Sequence, residues 1–334
     1  MNSMIDYSLT NRFMGGMVGA VLGECIGTWS RMHPPVTLRS LHHVAWTAPN
    51  SANLPLNWSL ELVEGVTALL KPVPGDLARV IARIQLAPSV ANRAIASLPL
   101  AFYLHNDSLL LRQSLEATLN PSTPSAQIEQ TTIALLVDVV AALLRGDDPI
   151  QPIRYAIDNS ELAQTCPALI YRLTQLYDLH TQKLGLAAAA QLSYEDDLPQ
   201  LSRANLMSQE TVVLINALAI ALYGFLSSPE HFRLAIVRVA AFGYTPSLTC
   251  TLVGILSGVH NTMTDIPLVW RQFLRHTEGQ VEQAPDLDQH LAVLSKQLTA
   301  VWSGVYCLDR TTPASPVVVS MSQSWQCLQH DRAL

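Results

Sequence analysis

The side chains able to do chemistry are few and widely spread. Five cysteines, Cys25, Cys166, Cys250, Cys307 and Cys327, form no CxxC and no Cys/His spacing. They offer neither a structural zinc site nor a disulfide framework. Cys25 and Cys250 lie in apolar stretches and read as small buried hydrophobes rather than nucleophiles. His42 and His43 are adjacent, so their rings point apart, and no carboxylate is close in sequence; a surface loop is expected. Ser247 is not framed by the G-x-S-x-G turn that exposes a nucleophilic serine. Asp147-Asp148 and Glu195-Asp196-Asp197 read as solvated turns. Asp138 and Asn216 stand in apolar segments, where a hydrogen-bonded core residue is commoner than a catalyst. Glu24, inside Gly23-Glu24-Cys25-Ile26-Gly27, reads as a helix residue at a pocket rim. No Asp or Glu occurs between Glu24 and Glu61, or between Glu230 and Asp265.

Composition restricts the rest. Charged residues make up 14% of the 334, against about 25% in an ordinary soluble domain. Hydrophobic residues make up 49%, so a chain with this much to bury is not disordered. The net charge is -6 and no run of Lys or Arg occurs, which argues against nucleic-acid binding through a basic face. Low charge mildly favours a place in an assembly, since interface cores are depleted in charge.

The elements that must position these residues are helical. Apolar residues recur at three and four positions over 12–29, 58–70, 75–86, 89–105, 108–119, 125–145, 162–179, 208–226, 230–241 and 248–260. An all-α domain is predicted, with Val317-Val318-Val319 as one short edge strand. The segment 187–205 reads as a surface loop. A membrane span needs about 20 apolar residues. The stretches 212–226 and 133–144 are shorter and contain Asn216 and Asp138, so they read as core helices. The N-terminal stretch lacks the basic-then-apolar pattern of a secretory signal, and a cytoplasmic location is expected. Residues 10–275 form the predicted domain. Residues 276–334 form an extension with a helix at 286–305 and a polar tail. Its stripe Leu287, Leu291, Leu294, Leu298 and Trp302 either packs on the domain or docks a partner or a second copy. Leu291, Leu294, Leu298 and Trp302 are the candidate partner-binding residues.

Two glycine series stand out. Gly15, Gly19, Gly23 and Gly27 are spaced by four, and so are Gly254 and Gly258. Each glycine costs roughly 1 kcal/mol against Ala inside a helix, so the first series implies a tight crossing by another backbone. The segment RFMGGMVGAVLGECIG (12–27), the segment AAFGYTPSLTCTLVGILSGVHNTMTDIPLVW (240–270) with its Ile266-Pro267-x-x-Trp270, and Ala91-Asn92-Arg93-Ala94 up to Pro99 together resemble the ADP-ribosylglycohydrolase family. The resemblance implies an all-α fold and, in the family, two Mg²⁺ ions held by two pairs of aspartates. Hard divalent ions want carboxylate oxygens, and two of them can position a ribose and activate water. In register with the family's motifs, the late aspartates fall on Thr245 and Ser247. The early pair falls near Leu56, Asn57 and Trp58. The family's central Thr-His segment has no counterpart, since no histidine lies between His105 and His180.

The resemblance therefore implies a member that holds no Mg²⁺, has no catalytic residue and keeps a vestigial pocket of Glu24, Asn57, Trp58, Asn92, Arg93, Tyr244, Thr245 and Ser247. The expected role is binding a protein, a second copy, or a nucleotide- or ADP-ribose-like ligand. A hydrolase with a rearranged site and a structural helical subunit are the alternatives.

Overall fold

The computed structural model describes residues 8–32, 56–70, 75–119, 123–183, 185, 207–275 and 287–305. The expectations for His42 and His43, the loop 187–205, Cys307, Cys327, the edge strand and the tail lie outside these residues. Among them every regular element is helical. In chain order the α-helices are α1 (Leu9–Met32), α2 (Trp58–Leu70), α3 (Leu77–Leu86), α4 (Val90–Ala96), α5 (Leu98–Leu104), α6 (Ser108–Thr118), α7 (Pro124–Arg145) and α8 (Ile150–Asp158). They continue with α9 (Ser160–Thr165), α10 (Pro167–Thr181), α11 (Gln209–Leu226), α12 (Phe232–Phe242), α13 (Pro246–Asn261), α14 (Leu268–Arg275) and α15 (Leu287–Trp302).

The helix boundaries differ from the expectation where proline intervenes. The segment 89–105 is two helices, broken at Ser97, and Pro99 sits in the first turn of α5. The segment 162–179 is likewise broken at Cys166, with Pro167 opening α10. Proline has no N–H to give to a preceding turn, so the helix must restart. The short helices α8 and α14 went unpredicted because their apolar faces are only two or three residues long.

The centre of the fold is the pairing of α1 with α13. A Cβ built on Gly15 would lie 2.1 Å from the Gly258 carbonyl oxygen, on Gly19 2.0 Å from that of Gly254, on Gly23 2.0 Å from that of Cys250, and on Gly27 2.1 Å from that of Pro246. The partners run in opposite order, so the two helices are antiparallel and in backbone contact over four turns. Gly254 and Gly258 meet Gly19 and Gly15 in the same way from the other side. The series in α1 is therefore the tight crossing that its spacing implied. It also fixes the register, which brings the C-terminal turn of α1 to the N-terminus of α13.

Three expectations are corrected. Leu291, Leu294 and Leu298 do not present a partner surface: they are buried at 0%, 2% and 0% exposure in the main core. α15 packs on α1 and α2, and Trp302 stacks on His105 with ring centroids 5.2 Å apart. Thr10 and Thr299 hydroxyls bond at 2.8 Å, and Arg271 pairs with Asp288 at 3.1 Å. The boundary at 275 thus does not divide the core. Finally, α7 and α11 are, by length and composition, long and apolar enough to cross a membrane. Most of each apolar stretch is buried inside the domain, as the core reading of both had it.

Candidate functional site

Where the end of α1 meets the start of α13, a cleft of about 670 Å³ opens. Thr28 and Arg31 come from α1, Asn57 and Trp58 from the start of α2, and Gln209, Glu210 and Val213 from α11. Ser89 and Ala91 come from the start of α4, and Gly243, Thr245, Pro246, Ser247 and Leu248 complete the cleft from the turn into α13. Other cavities exist, but this one gathers the residues that the sequence placed together. The Thr28 and Ser247 hydroxyls are 3.1 Å apart, one hydrogen bond across the α1–α13 seam.

The turn into α13 is strained. Thr245 holds φ 33 and ψ 57, a left-handed conformation that costs a non-glycine residue of order 1 kcal/mol or more. Two bonds hold it there: the Thr249 hydroxyl donates to the carbonyls of Tyr244, at 2.6 Å, and Thr245, at 3.0 Å. Thr245 makes no side-chain cap to α13, and Pro246 occupies the first turn. The positive end of a 16-residue helix therefore faces the cleft without a capping oxygen from its own N-cap residue. Arg31, across the cleft, has no ion-pair partner among the described residues and adds a second source of positive potential.

Of the predicted pocket residues, Asn57, Trp58, Thr245 and Ser247 line the cleft. Glu24 does not, and its reading as a rim residue is corrected. It is fully buried. Its carboxylate accepts from the backbone N–H groups of Asn57 at 2.7 Å, Trp58 at 3.0 Å and Ser59 at 2.8 Å, and from the Ser59 hydroxyl at 2.6 Å. These are the free amides at the start of α2, so Glu24 caps that helix from the middle of another. The glycines beside it leave room for α13, while the carboxylate closes α2.

Asn92 and Arg93 are also absent from the cleft wall. Asn92 donates to Glu61 at 3.2 Å, and Arg93 forms a two-pronged pair with Glu129, one arm at 3.0 Å. Tyr244 stands behind the wall: its hydroxyl accepts from Asn216 at 3.2 Å, and Asn216 in turn accepts from the buried Arg172 at 2.9 Å. Asn216 is thus the hydrogen-bonded core residue it was read as. Burial pushes the thiols of Cys25 and Cys250 far above the ordinary cysteine range, and Glu24 adds to this at Cys25. Neither is available as a nucleophile.

Sequence reasoning missed Thr28, Arg31 and Glu210. Thr28 and Arg31 lie within one turn of Gly27, and extending the glycine series by a turn would have found them. Glu210 carried only the signal of an acidic residue at a helix start. It lines the cleft, yet its carboxylate accepts from the Val90 N–H at 3.1 Å and so caps α4. Among the described residues no group of three or more His, Cys, Asp or Glu is placed to hold a metal ion.

The family model described as ADP-ribosylglycohydrolase matches residues 75–304. The matched span takes in α13 and also α15, the helix that the sequence had set apart as an extension. No curated protein matches the chain.

Proposed function

Since the chain belongs to the ADP-ribosylglycohydrolase family, we propose that it is a non-hydrolysing member whose cleft binds an ADP-ribose-like ligand. The observation that supports this is the donor set of the cleft. Thr28, Asn57, Thr245 and Ser247 offer neutral oxygens and amides, and the one lining carboxylate, Glu210, already serves α4. Such a set does not fit two divalent cations, whose charge needs several carboxylates to offset it away from bulk water. It does suit a ribose: hydroxyl groups that both donate and accept match sugar hydroxyls. Arg31 and the open N-terminus of α13 suit phosphate oxygens, and Trp58 gives an aromatic face. No step of hydrolysis is assigned to these residues.

The test pairs binding with turnover. Titrated ADP-ribose should raise the melting temperature saturably, as any ligand specific to the folded state must. Ser247→Leu, which fills the seam with Thr28, should remove the rise. Millimolar Mg²⁺ alone should give no rise, and Mg²⁺ should bring no release of ADP-ribose from modified arginine. Turnover lost in Glu210→Gln would overturn the proposal in favour of a rearranged hydrolase. Failure of ADP-ribose to stabilise the protein would overturn it altogether.

A further inference from the structure

A second groove, sharing no residue with the cleft, lies among α6, α7, α8 and α9. Two cavities of about 500 and 580 Å³ adjoin there, and both are walled by Arg112, Asp138, Pro152 and Tyr155. The wall between those four is mostly apolar, with Leu115, Ala134 and Leu135 along one side. Among the α7 residues that line the cavity of about 500 Å³, Gln130 and Thr131 are neutral and polar, and Asp138 alone is charged. Its side chain is 29% exposed, and no hydrogen bond reaches its carboxylate among the described residues.

The nearest cation serves it poorly. The Arg112 guanidinium stands 3.8 Å from the Asp138 oxygen, beyond hydrogen-bond reach, on a side chain that is 54% exposed. It rests instead over the Tyr155 ring, 5.8 Å from the centroid. Arg145, the other cation nearby, is committed: it donates to the His105 carbonyl at 2.6 Å and to Asp147 at 2.5 Å. Glu116, Asp147 and Asp148 also line the two cavities, so four carboxylates face two arginines. Burial raises the Asp138 pKa above its ordinary value, and Arg112 and Arg145 only partly oppose this. A half-buried carboxylate in such surroundings gains when a cation reaches it with hydrogen bonds.

We propose that this groove binds a small organic cation with a planar amidinium or guanidinium head. The head pairs with both oxygens of Asp138 beside Tyr155, the apolar body lies along Leu115, Ala134 and Leu135, and Arg112 is the resident competitor that it displaces. Arg112 shows the chemistry: a guanidinium already sits against the ring at the mouth, while the space behind it is large enough for a body of several carbons. The inference is independent of the reading of the α1–α13 cleft.

Benzamidine is the probe and neutral benzamide its control, followed by titration calorimetry on the full chain. Benzamidine should bind saturably and benzamide should not. Asp138→Asn, which keeps the shape and removes the charge, should weaken benzamidine binding at least about tenfold. Arg112→Gln should strengthen it several-fold, because the competitor is gone. Ala134→Leu, which fills the groove and touches no charge, should block it. Equal binding by benzamide, unchanged affinity in Asp138→Asn, weaker binding in Arg112→Gln, or no saturable binding by the parent protein would each overturn the proposal. Should Asp138→Asn fail to fold, the opposite signs expected for Arg112→Gln and Ala134→Leu still decide the matter.

Discussion

Glu24 accepts four hydrogen bonds with one carboxylate, all from the first residues of α2, and none of them from solvent. Charge-assisted bonds of this kind are worth more than neutral ones, and removing the acceptor leaves buried N–H groups unpaired. Glu24→Gln keeps the shape but sets an NH₂ against a backbone donor, and loses the charge that favours a helix N-terminus. It should cost about 2–4 kcal/mol in urea unfolding. A loss within experimental error would show that α2 does not depend on this cap. The sequence drew attention to Glu24 as a lone carboxylate among glycines. It did not show which atoms lie within 3 Å of it, because Asn57, Trp58 and Ser59 come from a different helix.

At the scale of elements, the ionisable residues join helices to one another. Glu24 closes the start of α2, Glu210 that of α4 and Asp265 that of α12, where it accepts from Phe232 N–H at 2.6 Å. Arg12 closes the end of α7 through the Leu143 and Leu144 carbonyls, and Arg145 bonds the His105 carbonyl just past α5. A chain with only 14% charged residues thus uses several of them to satisfy helix ends that would otherwise be buried without partners. Two of these caps, Glu24 and Arg12, stand on α1, the helix that forms the seam with α13. Gly19→Ala places a methyl 2.0 Å from the Gly254 carbonyl oxygen, a backbone atom of the facing helix that cannot turn aside. It should cost about 3 kcal/mol or more. Gly185→Ala, with nothing within 4 Å, should change stability by less than about 0.5 kcal/mol. Similar denaturation midpoints for the two variants would mean that the seam is not in backbone contact. This feature was readable beforehand, since glycines every fourth residue in an otherwise good helix have few other uses.

For the whole molecule, α15 belongs to the main core of the described residues. Deleting residues 280–334 strips Leu287, Leu291, Leu294, Leu298 and Val301 from it. Burying each is worth roughly 1.5–3 kcal/mol, so the shortened protein should melt more than about 10 °C lower or aggregate. An unchanged melting temperature would show that the helix does not contribute to the core. The sequence by itself determined the helical class, most helix limits, the glycine crossing and the resemblance to the family. Those follow from periodicity, proline positions and spacing, which are local properties of the chain. It also placed Asn57, Trp58, Thr245 and Ser247 in one pocket, because the resemblance supplied a register for them. Only the tertiary structure decided that Glu24 is a cap, that Asn92 bonds Glu61 and Arg93 pairs with Glu129, and that the stripe on α15 faces inward. An apolar stripe says that it must be covered but not by what, and a carboxylate says that it needs donors but not whose. Both answers lie in residues tens to hundreds of positions away, which the packing of α1 against α13 and α15 brings within bonding distance.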